Sequence, residues 1–153
     1  MKETAGVTST DTGLEGVAWN VVGHIYTPKL HSDNAMIWHA VVPAETFVPP
    51  HVHPTQDEWI LVIEGHLEVD FGYEQGNVQP NKAGPGDLIR MPMGLAHGVF
   101  NRSGAEAKCV FGVAPSRKLY DLFCALDGVT DPEELVRLSA LHEVDFLPPP
   151  PEA

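Results

Sequence analysis

From about Val17 to Ala114 the chain runs as short β-type stretches, each broken by glycine, proline or asparagine before a helix of useful length could form. The stretches are Val17 to Tyr26, Met36 to Val42, Trp59 to Ile63, Leu67 to Phe71, Asp87 to Met91, Ala96 to Asn101 and Ala107 to Ala114. Each is rich in β-branched or aromatic residues, which crowd a helix at χ1 but pack well on a pleated surface. Many short strands with frequent turns must bury their apolar faces against one another, so the expected class is all-β, a sandwich or barrel. At 153 residues the chain can bury such a core as one domain.

After Pro115 the apolar period changes to that of helices. Ser116 reads as an N-cap, Leu119, Leu122, Phe123 and Leu126 fall on one face, and Gly128 is the stop. A second helix follows, with Asp131 as N-cap, Pro132 in the first turn and Glu134 completing a capping box before the stripe Leu135, Leu138, Leu141. Both helices need an apolar surface to cover, and the barrel wall, a subunit contact and a pocket lid are the options. The organisation is therefore a flexible arm over 1–16, a β-barrel over 17–114 and a helical extension with a proline-rich tail over 115–153, the proline run being Pro148 to Pro151.

Charge narrows the partners. With 21 acidic against 9 basic residues and a net charge of −12, the surface repels phosphate backbones and anionic lipid, so neither nucleic acid nor a membrane is expected. No stretch has the roughly 18 apolar residues of a membrane span, and the polar N-terminus resembles neither a signal nor a transit peptide. Two cysteines, Cys109 and Cys124, share no metal or redox spacing and read as thiols of a reducing compartment, giving a cytoplasmic expectation.

The chemistry is concentrated in two segments. In Pro49-Pro50-His51-Val52-His53 a two-residue spacing on extended chain turns both imidazoles to one face. The polar residues 54–57 read as a turn that returns Asp57 or Glu58 toward them, and alternation allows only one of the two to reach the same centre. A further histidine, His97, follows a Pro and Gly turn between two strands. Three neutral imidazoles and one carboxylate suit Fe2+, Mn2+, Ni2+, Zn2+ or Cu2+ and leave positions for substrate. His24, His31, His39, His66 and His142 share no such spacing and read as structural or surface residues.

These segments resemble the cupin superfamily, whose second motif is matched by Gly86, Pro92, Gly94, His97 and Asn101. The first is matched by His51, His53, Glu58 and Gly65, with Glu45 in place of the leading glycine. The family spacing to Gly65 selects Glu58 over Asp57. The resemblance implies a double-stranded β-helix, or jelly-roll barrel, with C-terminal α-helices and one divalent metal ion on His51, His53, Glu58 and His97. More narrowly, Val22 to Leu30, the Pro49-Pro50 approach and the Phe146-Leu147-Pro148-Pro149 ending resemble small monocupins of the quercetin 2,3-dioxygenase-like kind, which implies homodimers.

On that resemblance the expected function is a metal-dependent dioxygenase, Fe2+ being the favoured ion, acting with O2 on a phenolic, flavonol-like or enolic molecule. Glu58 would both bind the ion and exchange a proton with the substrate hydroxyl. A redox-neutral isomerase, lyase or decarboxylase is the alternative, and a non-catalytic binding module a third. Strand alternation from the ligands puts Phe47, Ile60, Val62 and Val99 on the substrate pocket, a role core packing would explain equally. Arg90 would be either a carboxylate anchor or an outward-facing ion pair.

Overall fold

The computed structural model describes residues 4–149; the first three residues of the N-terminal arm and the end of the proline-rich tail lie outside the described residues. Strands β1 (Trp19–Val21), β2 (His24–His31), β3 (Met36–Val42), β4 (Phe47–Val52), β5 (Asp57–Glu64), β6 (Leu67–Phe71), β7 (Gln79–Ala83), β8 (Leu88–Met91), β9 (His97–Phe100), β10 (Ala107–Ala114) and β11 (Asp145–Phe146) accompany helices α1 (Leu119–Leu126) and α2 (Pro132–Leu141). They form a six-stranded sheet ordered β1-β2-β3-β10-β5-β8 and a five-stranded sheet ordered β11-β4-β9-β6-β7. Pairing is antiparallel throughout, as a jelly-roll of two facing sheets requires.

Alternation along the inner strands builds the core. In β3 the residues Met36, Trp38, Ala40 and Val42 point inward and are buried, and β10 packs Cys109, Phe111 and Val113 beside them. The expected stretch Val17 to Tyr26 is a hairpin instead of one strand, because Val22 and Gly23 both take positive φ and reverse the chain. That is the backbone of a two-residue turn whose twist matches the flanking strands. β7 carries four exposed residues in Gln79-Pro80-Asn81-Lys82 and offers no apolar alternation to read.

Two motif positions show what the family spacing demands. Gly65 has φ 76°, and a Cβ there would sit 2.7 Å from the Glu106 carbonyl oxygen, so only glycine fits the β5–β6 turn. Glu45, standing at the family's leading glycine, also takes positive φ, 60°, while its N–H donates to the Asn101 carbonyl at 2.9 Å. The turn is thus kept without its glycine, at the cost of a left-handed backbone in a residue with a Cβ. Asn101 anchors it: its side chain donates to Val42 and Ala105 carbonyls and accepts from Ser103.

The helices close one end of the barrel. Leu119, Leu122, Phe123 and Leu126 of α1 are buried, and Phe123 packs against Trp38, Tyr26 and Trp19 at 5.1–5.5 Å between ring centroids. Burying four such side chains contributes on the order of 6–12 kcal/mol before conformational entropy is subtracted. Three helix details differ from expectation. Lys118, not Ser116, stands at the α1 N-cap, because Ser116 is buried and its hydroxyl donates to the Ser32 carbonyl. Asp131 does cap α2, accepting from Glu133 N–H at 3.1 Å, but Glu134 pairs with Arg137 instead of reaching back to complete a box. The inner face of α2 is Leu135, Leu138 and Ser139, and Leu141 is 59% exposed.

Along the N-terminal arm, Lys29 donates to the carbonyls of Ser9 and Thr12, and Thr8 to that of Lys29. Among the described residues no helix is long and apolar enough to cross a membrane.

Candidate metal centre

His51 lies on β4, His53 just after it, Glu58 on β5 and His97 at the start of β9, so both sheets contribute. One potential ligand atom from each lies within 4.8 Å of all the others, and all four residues are buried. The two turns that carry them are tied together: Gly94 N–H donates to the His53 carbonyl and Met93 N–H to Asp57 Oδ1. Asp57 therefore points outward as a turn cap while Glu58 points in.

Hydrogen bonds determine how the imidazoles are presented. His51 Nδ1 lies 2.7 Å from the Pro49 carbonyl and His97 Nδ1 3.0 Å from that of Leu95, and a carbonyl can only accept. Both Nδ1 atoms therefore carry hydrogen, leaving the Nε2 lone pairs free. For His53 the partner is Gln56 Oε1 at 2.8 Å, and the amide orientation is assigned by its Nε2 donating to the carbonyls of Pro115 and Ser116. All three Nε2 atoms thus face the cluster in acceptor form.

The fit to a cation follows from that pattern. Among the described residues His97 Nε2 is buried with no hydrogen-bond partner, and Glu58 places Oε2 2.9 Å from His53 Nε2 and Oε1 3.5 Å from His97 Nε2. Three lone pairs and a carboxylate converging in a buried site repel one another unless positive charge lies between them. Donors about 2.0–2.2 Å from one first-row ion lie about 3 Å apart at right angles and about 4 Å apart when opposed, and the set here has separations of 2.9 and 3.5 Å with all four atoms within 4.8 Å of one another. The residues could therefore hold one metal ion.

In the metal-free protein the same repulsion appears as proton affinity. Burial alone would raise the Glu58 carboxyl, but His53, by charge and hydrogen bond, and then His97 outweigh it and hold it well below the usual carboxylate range. Burial lowers His53, yet Glu58 and Gln56 outweigh it and raise the imidazole. Burial, with His97 and His53 adding, drives His51 well below its usual value and keeps it neutral.

The cluster opens on a cavity of about 50 Å³ between the barrel and the helices, lined by His51, His53 and Glu58 on one side and by apolar residues of α1 and α2 on the other. β11 closes it, pairing Phe146 with His51 and setting the two rings 5.4 Å apart. Of the expected pocket residues, Val99 lines the cavity. Phe47 does not: it is 51% exposed and stacks on Phe100, because an extra residue between Val48 and His51 inverts the alternation and turns Val48 inward. Ile60 and Val62 do face inward on β5 but are packed solid in the core, away from the lining. Arg90 is exposed on β8, opposite Trp59 on the outer face.

Comparison with known proteins agrees with this architecture. The family described as Cupin domain matches residues 38–113, from β3 to β10. A germin-like protein 9-3 from Oryza sativa subsp. japonica is 30% identical over 89 residues, 57% of this chain and 42% of that protein. The chain thus spans less than half the length of that relative. Among solved structures, an RmlC-like cupin from Shewanella frigidimarina aligns with TM-score 0.64 at 14% identity, covering 78% of this chain and 99% of that one. An oxalate oxidase aligns with TM-score 0.53 at 22% identity, covering 69% and 56%. With the two-sheet jelly-roll and the matched domain, the chain belongs to the cupin superfamily.

Proposed function

We propose that the protein is a metal-dependent cupin enzyme, a dioxygenase acting on a compact phenolic or enolic molecule, with one divalent first-row ion held by His51, His53, Glu58 and His97. The observation that carries this reading is the convergence of three acceptor-form imidazoles and an ionised carboxylate on an otherwise apolar cavity. A bound Fe2+, Mn2+ or Ni2+ supplies Lewis acidity toward a phenol or enol oxygen and redox access to O2. The rest is done by the chain. Glu58 Oε1 or Oε2 accepts the proton of the substrate hydroxyl, the Pro49 and Leu95 carbonyls and Gln56 keep the imidazoles oriented, and the helices exclude water.

A cavity of about 50 Å³ favours a single-ring or smaller substrate over a three-ring flavonol. The likeness to germin-like proteins and to the oxalate oxidase fold supports oxidase-type metal chemistry. The homodimer is carried over from the resemblance to small monocupins, and the free thiols Cys109 and Cys124 fit a reducing cytoplasm.

The test is metal analysis of protein from its native host, then oxygen-electrode assays of each reconstituted metal form against catechols and 1,3-diketones. Metal-dependent oxygen uptake is expected. Turnover without oxygen uptake would replace the dioxygenase by a redox-neutral enzyme.

A further inference from the structure

A groove of about 610 Å³ lies on the surface between the β1–β2 turn, the β3–β4 turn and the start of α2. Val22, in the β1–β2 turn, and Leu135, on α2, line this groove and also line the cavity that His51, His53 and Glu58 share. Both are partly exposed and both pack against the core, so each meets the cavity on one side and solvent on the other. Val48 continues the same edge: it lines the cavity, while Phe47 and Pro49 on either side of it line the groove. Along this edge the two spaces are one residue apart.

Elsewhere the cavity has a heavier wall. Apart from Val22, Val48 and Leu135, Phe146 is the one lining residue that is not buried. It lies on the β4–β11 seam, which backbone pairing holds, Leu147 N–H also donating to the Pro50 carbonyl at 2.9 Å. Glu58 borders a second hollow, on the outer face of β5 and β8, but there the sheet itself intervenes, with Glu58 paired to Met91 and Trp59 to Arg90. Passage at either place would break strand pairing. At the groove it needs only that aliphatic side chains turn, because among the described residues no backbone hydrogen bond joins the β1–β2 turn to α2.

The backbone of Val22 points the same way. Its φ is 49°, a region where a two-residue hairpin turn ordinarily places asparagine or glycine and where a β-branched residue is strained. Strain kept at one position marks a side chain held for its place, and here that place is the edge between groove and cavity. We propose that the groove is the entrance to the metal cavity and that Val22 and Leu135 form its neck, which sets how large a molecule can pass. That the passage serves a substrate rests on the function proposed above; the passage itself does not need the metal.

The experiment mixes the full chain, loaded with cobalt, with 4-nitrocatechol in a stopped-flow instrument. This single-ring compound changes its visible absorbance on contact with the metal and quenches tryptophan fluorescence, Trp38 being on the cavity lining. Leu135→Ala and Val22→Ala are each expected to raise association and dissociation rates together, about fivefold, with Kd moving less than about twofold, because a neck alters the path and not its end states. Leu135→Trp should slow both rates about tenfold. Val144→Ala, at a buried residue that lines the cavity but not the groove, is the control and should leave the association rate within about twofold whatever happens to Kd. Unchanged association rates in the two alanine variants at the neck overturn the proposal, and so do changes confined to dissociation, which a plain pocket wall would give. An equal rise in Val144→Ala means general loosening and overturns it as well, as does a parent that binds the compound neither with cobalt nor without it. Failure of cobalt to bind condemns the metal reading alone, and the same rates read by fluorescence on metal-free protein then decide the entrance.

Discussion

The barrel wall and the helical wall of the cavity handle polar atoms in opposite ways. On the barrel side each ligand imidazole has its Nδ1 committed to a protein acceptor, so its Nε2 is aimed before anything binds. On the helical side the wall is leucine and phenylalanine, with the Ser139 hydroxyl left over. The difference separates two tasks: the barrel pre-organises charge, which needs many hydrogen bonds, and the helices shape and dry the space, which needs apolar area.

The largest effect should come from the barrel side. His97→Ala is expected to weaken zinc binding by more than about 100-fold in a competitive chelator titration while leaving the β circular dichroism spectrum intact, since second-sphere changes alone cost 10–100-fold. Retained affinity would mean that the four-residue set is wrong.

Next comes acid stability, to which a buried histidine outside the cluster adds a share of its own. His24 is fully buried, with Nε2 3.0 Å from Thr46 Oγ1 and Nδ1 3.2 Å from the Tyr26 hydroxyl, and burial lowers its pKa to about 4. Between that value and the ordinary 6.5 the unfolded chain binds the proton and the folded one does not. Stability from this group is therefore complete above pH 6.5 and falls as pH drops to about 4, by about 3 kcal/mol. Urea unfolding of metal-free parent and His24→Gln proteins at pH 7 and pH 4.5 separates it from the shares of His51 and Glu58, and the variant should lose about that much less stability toward acid.

A smaller effect tests the helical side. Phe146→Ala removes the ring that closes β11 over His51 and should cost about 2 kcal/mol, less than a fully buried phenylalanine because Phe146 is only half-buried. Faster proteolysis after Leu141, with zinc affinity lowered by less than tenfold, would place the damage in the cover; a full loss of zinc would erase the distinction between the walls. Smallest of all, Glu45→Gly should stabilise by about 0.5–1 kcal/mol in thermal melts, because it relieves a left-handed backbone that glycine adopts freely.

How much of this was readable from sequence divides along the same line. β3, β6 and β10 occupy the very residues expected, since alternation and β-branched content report strands buried on one face or both. His51, His53 and the returning carboxylate were readable because their spacings are short and local, two residues at the end of β4 and one turn to β5, while His97 and the choice of Glu58 over Asp57 rested on the family motifs. The pocket was not. The extra residue beside Pro49 and Pro50 reverses the facing of Phe47, and periodicity carries no sign of a bulge. Nor could sequence show that Gln56 would join His53 to the Pro115 and Ser116 carbonyls, or that Trp38 and Ser139 would line one space, because those facts belong to tertiary placement about 60 or 100 residues apart.

Gln56 spans the two walls. Its Oε1 holds His53, while its Nε2 grips the Pro115 and Ser116 carbonyls at the root of the helical cover. One amide thus makes the posture of a ligand and the seating of the cover mutually dependent. By thermodynamic reciprocity, whatever factor ion binding adds to closure of the cover, closure must return to ion affinity. An enclosed guest would then slow the escape of the ion beneath it, and the filled enzyme would be the hardest to strip with a chelator.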